Sequence, residues 1–149
     1  MLIWDRPEII NAYVGDNGGG YCAPGTFSAL GWARDGEIVA GLVFYDCNGS
    51  HCLVNIAITG KRFPPGLLKA GLFYVFSQIK LKRLTFLIEE VNLPSQNLVT
   101  RLGAIPEATL RDAGKTGNML IYALFPEDCT IWSRINGKRR GYPNTTRSD

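Results

Sequence analysis

Four polar side chains in this sequence have the chemistry to orient a substrate or to accept a proton from it. Asn55 lies within the apolar segment 52–58, and His51, the only histidine, precedes it; Glu89 follows another apolar segment, and Asp46 follows a third. An imidazole or a carboxylate can act as a general base, and an amide can orient a bound molecule through hydrogen bonds. Glu89 and Glu90 cannot form a carboxylate dyad, because adjacent strand residues point to opposite faces.

The motifs of several common enzyme classes are missing from the sequence. It contains no G-x-S-x-G elbow, no Walker loop, no H-E-x-x-H and no dinucleotide-binding G-x-G-x-x-G after a strand. Its four cysteines, Cys22, Cys47, Cys52 and Cys129, match no zinc-ligand spacing. We therefore expect reduced thiols, and we predict no metal site.

A basic loop precedes the main apolar helix of the sequence. Residues 59–66 read TGKRFPPG, so Lys61 and Arg62 come just before a helix that begins at the prolines, and Lys69 lies in its first turns. Free amides at a helix N-terminus attract anions, and cationic side chains add to that attraction. A pyrophosphate would suit this position.

The apolar spacing predicts an α/β domain with a mixed sheet covered by helices. The Asp35-Gly36 pair predicts a hairpin, and segment 52–58 predicts a central strand because nearly all its positions are apolar. The remaining pattern predicts helices at 6–14, 64–79 and 94–103, a glycine-rich mobile loop at 16–25, and strands at 83–91, 105–112 and 118–125. After Ser133 the sequence is almost devoid of apolar residues, which predicts a basic, frayed tail over 133–149.

The segment that follows residues 83–91 resembles the N-x-x-[SA]-x-x-L-x-x-x-L-G pattern of the GCN5-related N-acetyltransferase (GNAT) superfamily, in particular its short phage-type members. The matching residues are Asn92, Ser95, Leu98, Leu102 and Gly103. The resemblance covers residues 27–132. It implies one domain over 1–132 and a mostly antiparallel sheet that is splayed between its central strands.

The resemblance also implies a cofactor and the residues that bind it. It implies acetyl-CoA as co-substrate, with its pantetheine arm along Ile56, Ala57 and Ile58 and beside Asn92 and Ser95. The pyrophosphate is then expected near Lys61, Arg62, Gly66, Leu67 and Leu68, although Gly66 alone matches the family loop well. The tyrosine that often protonates the leaving thiolate in this family falls at Val99, which cannot do so.

Two functions follow as alternatives. The leading one is a cytoplasmic N-acetyltransferase that acts on a primary amine of a small molecule or protein, with Asn55, Glu89 and His51 as candidate catalytic residues. The other is a catalytically weak binding module of the same fold, for instance a phage protein that engages a host factor.

Other partners receive less support from the sequence. The net charge of +3 is too small to favour nucleic acid, although the tail carries KRR and Tyr142. The first twenty residues do not resemble a signal peptide, and no stretch of about 18 apolar residues predicts a membrane span. A homodimer is left open.

Overall fold

The computed structural model describes residues 1–19 and 21–135, which form a sheet covered by helices on both faces. In chain order the elements are β1 (Leu2–Ile3), α1 (Pro7–Asn17), β2 (Phe27–Arg34), β3 (Glu37–Tyr45), β4 (His51–Ile58), α2 (Pro65–Phe73) with a π-helical turn (Tyr74–Gln78), β5 (Arg83–Glu89), α3 (Leu93–Leu102), β6 (Ile105–Leu110), β7 (Met119–Leu124), a 3₁₀ turn (Pro126–Asp128) and α4 (Thr130–Ile135). The predicted α/β class is confirmed.

The described strands form one sheet in the order β1-β2-β3-β4-β5-β7-β6. Neighbouring strands are antiparallel except β4 and β5, which are parallel and are connected through α2. The β2–β3 hairpin turns at Asp35 and Gly36, both of which have positive φ, as an Asp-Gly turn requires. The prediction of β4 as a central strand is confirmed.

Apolar side chains on the two faces of the sheet pack against different helices. On one face, residues of β3, β4, β5 and β7 pack with α2, α3 and α4. On the other face, Ile10 and Val14 of α1 pack onto β2 and β3, where Gly31 and Gly41 lie beneath them. A Cβ at Gly41 would lie 2.7 Å from a Val14 methyl carbon, so the close seating of α1 requires glycine at this position.

The structure also corrects two expectations. The short edge strand β1 is not evident in the sequence pattern; it pairs with β2 through Trp32 and Gly31. Helix α4 includes Ser133 to Ile135, so the prediction of a frayed tail is wrong for these three residues, and the rest of the predicted tail lies outside the described residues.

Within the described residues, no helix is long and apolar enough to cross a membrane.

Candidate functional site

The central strands β4 and β5 separate and open a cleft between them. Their pairing runs from His51 with Arg83 to Val54 with Phe86. Beyond that point β4 continues to Ile58 and β5 continues to Glu89, while their outer edges remain paired with β3 and β7 respectively. The predicted splay between the central strands is therefore present.

The hydrogen-bonding register shows which backbone groups of β4 face the cleft. The Thr59 amide donates to the Val39 carbonyl at 3.0 Å, and hydrogen-bonded pairs alternate along an antiparallel ladder. Asn55 and Ala57 therefore bond to β3, whereas Ile56 and Ile58 direct their N–H and C=O groups toward the cleft. Ala57 was predicted to contribute backbone contacts, but its peptide groups are used by β3 and its side chain packs against α1.

The cleft has a wide outer part and a narrow inner part. The outer part has a volume of about 610 Å³ and lies between the end of β4, α3 and the end of α1. The inner part has a volume of about 50 Å³, which is room for a few waters or one small group. Ile56, Asn92 and Ser95 line both parts, so they lie at the junction.

Asn92 is at this junction because it caps α3. Its side-chain oxygen accepts a hydrogen bond from the Ser95 amide at 3.2 Å, and its own amide donates to the Glu89 carbonyl at 2.9 Å. Within the described residues, the side-chain nitrogen of Asn92 donates to no protein acceptor. It is therefore available to a molecule in the cleft.

Two cationic side chains line the outer cleft. Lys61 comes from the loop after β4, and Arg101 comes from the last turn of α3; both are exposed. Arg62 is exposed as well, but it does not line this part of the cleft. The outer mouth is therefore positively charged.

The start of α2 is apolar and tightly packed. A Cβ at Gly66 would lie 2.5 Å from the Trp32 ring, Leu67 is fully buried, and Leu68 packs against the same core. Pro64 and Pro65 have no amide hydrogen, so the N–H groups of Gly66 and Leu67 are the first donors of this helix. These residues can therefore bind an anion only through their backbone N–H groups.

Glu89 lies at the inner end of the cleft, where the β6–β7 loop holds its carboxylate. One oxygen, Oε1, accepts a hydrogen bond from the Thr116 amide at 3.2 Å. A Cβ at Gly114 would lie 2.7 Å from the same oxygen, so the loop closes around it. A carboxylate in this position can accept a proton from a molecule in the inner cleft.

Asn55 connects the sheet to the glycine-rich loop before β2. Its side-chain oxygen accepts a hydrogen bond from the Tyr45 hydroxyl at 3.3 Å, and its nitrogen donates to the Tyr21 carbonyl at 3.4 Å. Asn11 holds the same loop through two hydrogen bonds with the backbone of Ala23, at 2.9 and 3.1 Å. The Tyr21 ring is thereby placed on the wall of the inner cleft.

Burial raises the pKa of the Tyr45 phenol above its ordinary value. The nearby Asp46 carboxylate raises this pKa further. The Tyr45 hydroxyl therefore stays protonated at neutral pH and continues to donate to Asn55.

His51 and Asp46 are not brought to the cleft. His51 begins β4, about 13 Å along the strand from Asn55 at about 3.3 Å per residue, and its Nδ1 is 3.0 Å from the Thr85 hydroxyl. Asp46 directly follows β3, at the same end of the sheet as His51, and lines a different cavity with Phe27 and Tyr74. Neither residue can act on a molecule in the cleft from these positions.

The structure adds three residues that the sequence did not single out. Tyr21 reaches the inner cleft from the glycine-rich loop, and Arg101 reaches the outer cleft from α3. A Cβ at Gly18 would lie 2.7 Å from the Ile56 carbonyl oxygen, so the end of α1 can approach the cleft only with glycine there. Arg101 lies three residues after Leu98, which also lines the outer cleft, and this shared helix face is the one signal that could have predicted it.

In the parts of the chain that the structure describes, no group of His, Cys, Asp and Glu residues could hold a metal ion. Cys52 and Cys129 are buried in the core, and Cys22 and Cys47 are exposed. Burial raises the pKa of the Cys52 thiol, and the nearby Cys47 raises it further.

Searches with this chain find no matching family model and no matching curated protein. Solved structures do match it. RimJ from Mycobacterium smegmatis, in complex with CoA-disulfide, aligns with a TM-score of 0.59 and 19% identity over 76% of this chain and 62% of that one.

Two further acetyltransferases show the same similarity. A chimera of the spermidine N-acetyltransferase SpeG from Vibrio cholerae aligns with a TM-score of 0.57 and 15% identity, over 66% of this chain and 67% of that one. PseH from Campylobacter jejuni, in complex with acetyl coenzyme A, aligns with a TM-score of 0.53 and 14% identity, over 66% and 67%. The predicted GNAT fold is confirmed, and this chain spans less than two thirds of the length of RimJ.

Proposed function

We propose that this chain is an N-acetyltransferase that transfers the acetyl group of acetyl-CoA to a primary amine. The observation that carries the proposal is the separation of β4 from β5, which leaves the peptide groups of Ile56 and Ile58 facing a cleft. An extended molecule with amide groups could pair with this edge as an added strand does. The similarity in fold to acetyltransferases supports the same function.

The residues around the cleft fit the pantetheine arm of acetyl-CoA. That arm carries two amides, and the junction offers the N–H and C=O groups of Ile56 and Ile58 together with the side-chain nitrogen of Asn92. The outer volume of about 610 Å³ is in the range of small-molecule sites. We therefore assign the pantetheine arm to the edge of β4 beside the start of α3.

The residues at the outer mouth fit phosphate groups by charge. Lys61 and Arg101 provide two exposed cations, and arginine can bind phosphate through two parallel hydrogen bonds. The amides of Gly66 and Leu67 at the start of α2 add dipolar attraction. In this proposal the side-chain cations replace donors that Pro64 and Pro65 lack.

On the acceptor side, the chain must receive an ammonium and remove its proton. We assign proton removal to Glu89, whose carboxylate lines the inner cleft and is fixed by the Thr116 amide. Asn55 is a positioning residue, because its side chain holds the loop that carries Tyr21. His51 takes no part in this mechanism, since it lies at the far end of β4.

When bound, acetyl-CoA supplies an activated thioester, and a thiol pKa of about 8.5 makes its thiolate a leaving group that water can protonate. This chain has the buried Val99 at the family's tyrosine position. A protein acid is therefore not required at that position for the proposed reaction.

Calorimetry of the full chain with acetyl-CoA tests the proposal, and a thermal shift provides a second readout. Acetyl-CoA at a hundredfold excess over its Kd should stabilise the folded chain by about 2.7 kcal/mol. For a domain of this length, that corresponds to a rise in Tm of roughly 5–10 °C.

Two outcomes separate the candidate functions. Binding followed by acetylation of a panel of primary amines supports the enzyme. If calorimetry finds no binding at millimolar acetyl-CoA, the proposal fails and the chain is better described as a binding module with this fold.

A further inference from the structure

A lysine ammonium lies against an aromatic ring that lines the inner cleft. The Nζ of Lys115, in the β6–β7 loop, lies 4.6 Å from the centroid of the Tyr21 ring. A cation within about 6 Å of an aromatic face is attracted by it. The Tyr21 ring in turn lines the inner cleft together with Asn55 and Glu89.

The loop that carries Lys115 is anchored to the carboxylate to which we assign proton removal. Thr116 donates its amide to Glu89 Oε1 at 3.2 Å, and its hydroxyl lies 3.5 Å from the same oxygen. Gly114, on the other side of Lys115, also approaches this oxygen so closely that a Cβ would lie 2.7 Å away. Both neighbours of Lys115 therefore contact Glu89, which holds the lysine beside the inner cleft.

We propose that Lys115 is a self-acetylation site, with its ε-amine as an intramolecular acceptor for the acetyl group. The inference rests on the proposed function. It adds that an acceptor ammonium is received between the Tyr21 ring and Glu89, beside the place where Lys115 lies over that ring in this structure. Lys115 is exposed and has a flexible four-carbon stem, so its amine can move from the ring face into the cleft.

The reaction is balanced without any further reagent. The Lys115 ammonium first loses one proton to Glu89, which passes it to water. The neutral amine then attacks the thioester carbonyl, a C–N bond forms and the C–S bond breaks. The second amine proton leaves as the amide forms, and the departing thiolate takes up one proton. The products are acetyl-Lys115, the free thiol and one proton.

A mass-spectrometric time course tests the proposal. The full chain is incubated with isotopically labelled acetyl-CoA, quenched and digested, and label is measured at each lysine. Lys80 and Lys82, exposed lysines before β5, serve as internal controls for uncatalysed acetylation. We expect Lys115 to be labelled more than about tenfold faster than these two, because an oriented intramolecular acceptor has a high effective concentration.

The dependence on protein concentration distinguishes transfer within one molecule from transfer between molecules. The fraction of Lys115 labelled per unit time should not change when the chain is diluted. A rate that rises in proportion to protein concentration would overturn the proposal.

Two variants of Tyr21 test the geometry. Tyr21→Phe keeps the aromatic face and should keep Lys115 labelling, whereas Tyr21→Leu removes the face and should abolish the preference for Lys115. A second readout needs no acetyl-CoA: the ε-methylene protons of Lys115 should show a ring-current shift by NMR that persists in Tyr21→Phe and is lost in Tyr21→Leu. Thermal melting of both variants verifies that they fold.

The two proposals fail in different ways. If the chain binds acetyl-CoA and acetylates small amines, but labels Lys115 no faster than Lys82, self-acetylation is wrong and the proposed function stands. If calorimetry detects no acetyl-CoA binding, both proposals are wrong.

Discussion

Asn92 combines a structural role with a proposed ligand contact, and substitutions can separate the two. Its side-chain oxygen caps α3 through the Ser95 amide, whereas its side-chain nitrogen faces the junction of the two parts of the cleft. Asn92→Ala removes both groups. Asn92→Ser keeps a capping oxygen of equal quality but removes the amide nitrogen.

The expected magnitudes differ for the two substitutions. Loss of the cap in Asn92→Ala should reduce the free energy of unfolding by about 1 kcal/mol, which lowers the Tm by about 2–4 °C. Asn92→Ser should melt within about 1 °C of the wild type, since serine is a comparable cap. Both variants should bind acetyl-CoA about tenfold more weakly, as expected for one lost hydrogen bond of about 1.4 kcal/mol.

The assay pairs thermal melting with calorimetry well below the Tm, so that every variant is folded when its affinity is measured. Thr100→Ala on the same helix is the matched control, because Thr100 is exposed and does not line the cleft. Its affinity should equal that of the wild type. If Asn92→Ser binds acetyl-CoA as tightly as the wild type, Asn92 is a helix cap alone, and our placement of the pantetheine arm is refuted.

Three further predictions concern the cleft and the sheet. Gly18→Ala should destabilise the chain by about 1–3 kcal/mol and weaken acetyl-CoA binding, because its Cβ would lie 2.7 Å from the Ile56 carbonyl. In calorimetry and melting, the control Thr100→Ala, which lies outside the cleft, should resemble the wild type. His51→Ala should leave kcat for amine acetylation unchanged, and a large loss of kcat in steady-state kinetics would contradict our geometry. The raised pKa of Tyr45 should give a stabilisation that is fully present below its ordinary value of 10.0 and is lost as the pH rises from there through the folded-state pKa. Urea melts of the wild type should therefore lose more stability across this pH range than those of Tyr45→Phe.

Local signals in the sequence predicted most of the fold. The hairpin at Asp35-Gly36 depends on two adjacent residues that tolerate positive φ, and helix α3 has a cap at Asn92 and a left-handed Gly103 at its end. These features act within a few residues, so pattern alone can identify them. β1 has two residues, too few for a periodic pattern, and its pairing with Trp32 and Gly31 is a tertiary contact.

The sequence pointed to the residues at the open edge of β4 and the start of α3, but it did not show how the loops meet at the inner end of the cleft. Ile56 and Asn92 belong to or adjoin regular elements, so the family pattern could place them. Tyr21, Lys115 and Glu89 meet because two loops fold over the end of β5, and no sequence spacing encodes that meeting. His51 shares strand β4 with Asn55, but it lies at the start of the strand, away from the cleft. A shared strand therefore did not bring the two candidate residues to one site.

The prolines before α2 change how an anion must be held at the outer mouth. A loop that binds phosphate through backbone amides gains rigid donors that ionic strength affects little, and Pro64 and Pro65 supply none. Lys61 and Arg101 are exposed side chains, so their attraction for phosphate is screened by salt. If these cations replace the missing amides, binding of the phosphate part of acetyl-CoA must depend on salt concentration. Binding of the pantetheine part must depend instead on the geometry of β4. The two halves of the cleft would then bind one molecule by different physical means.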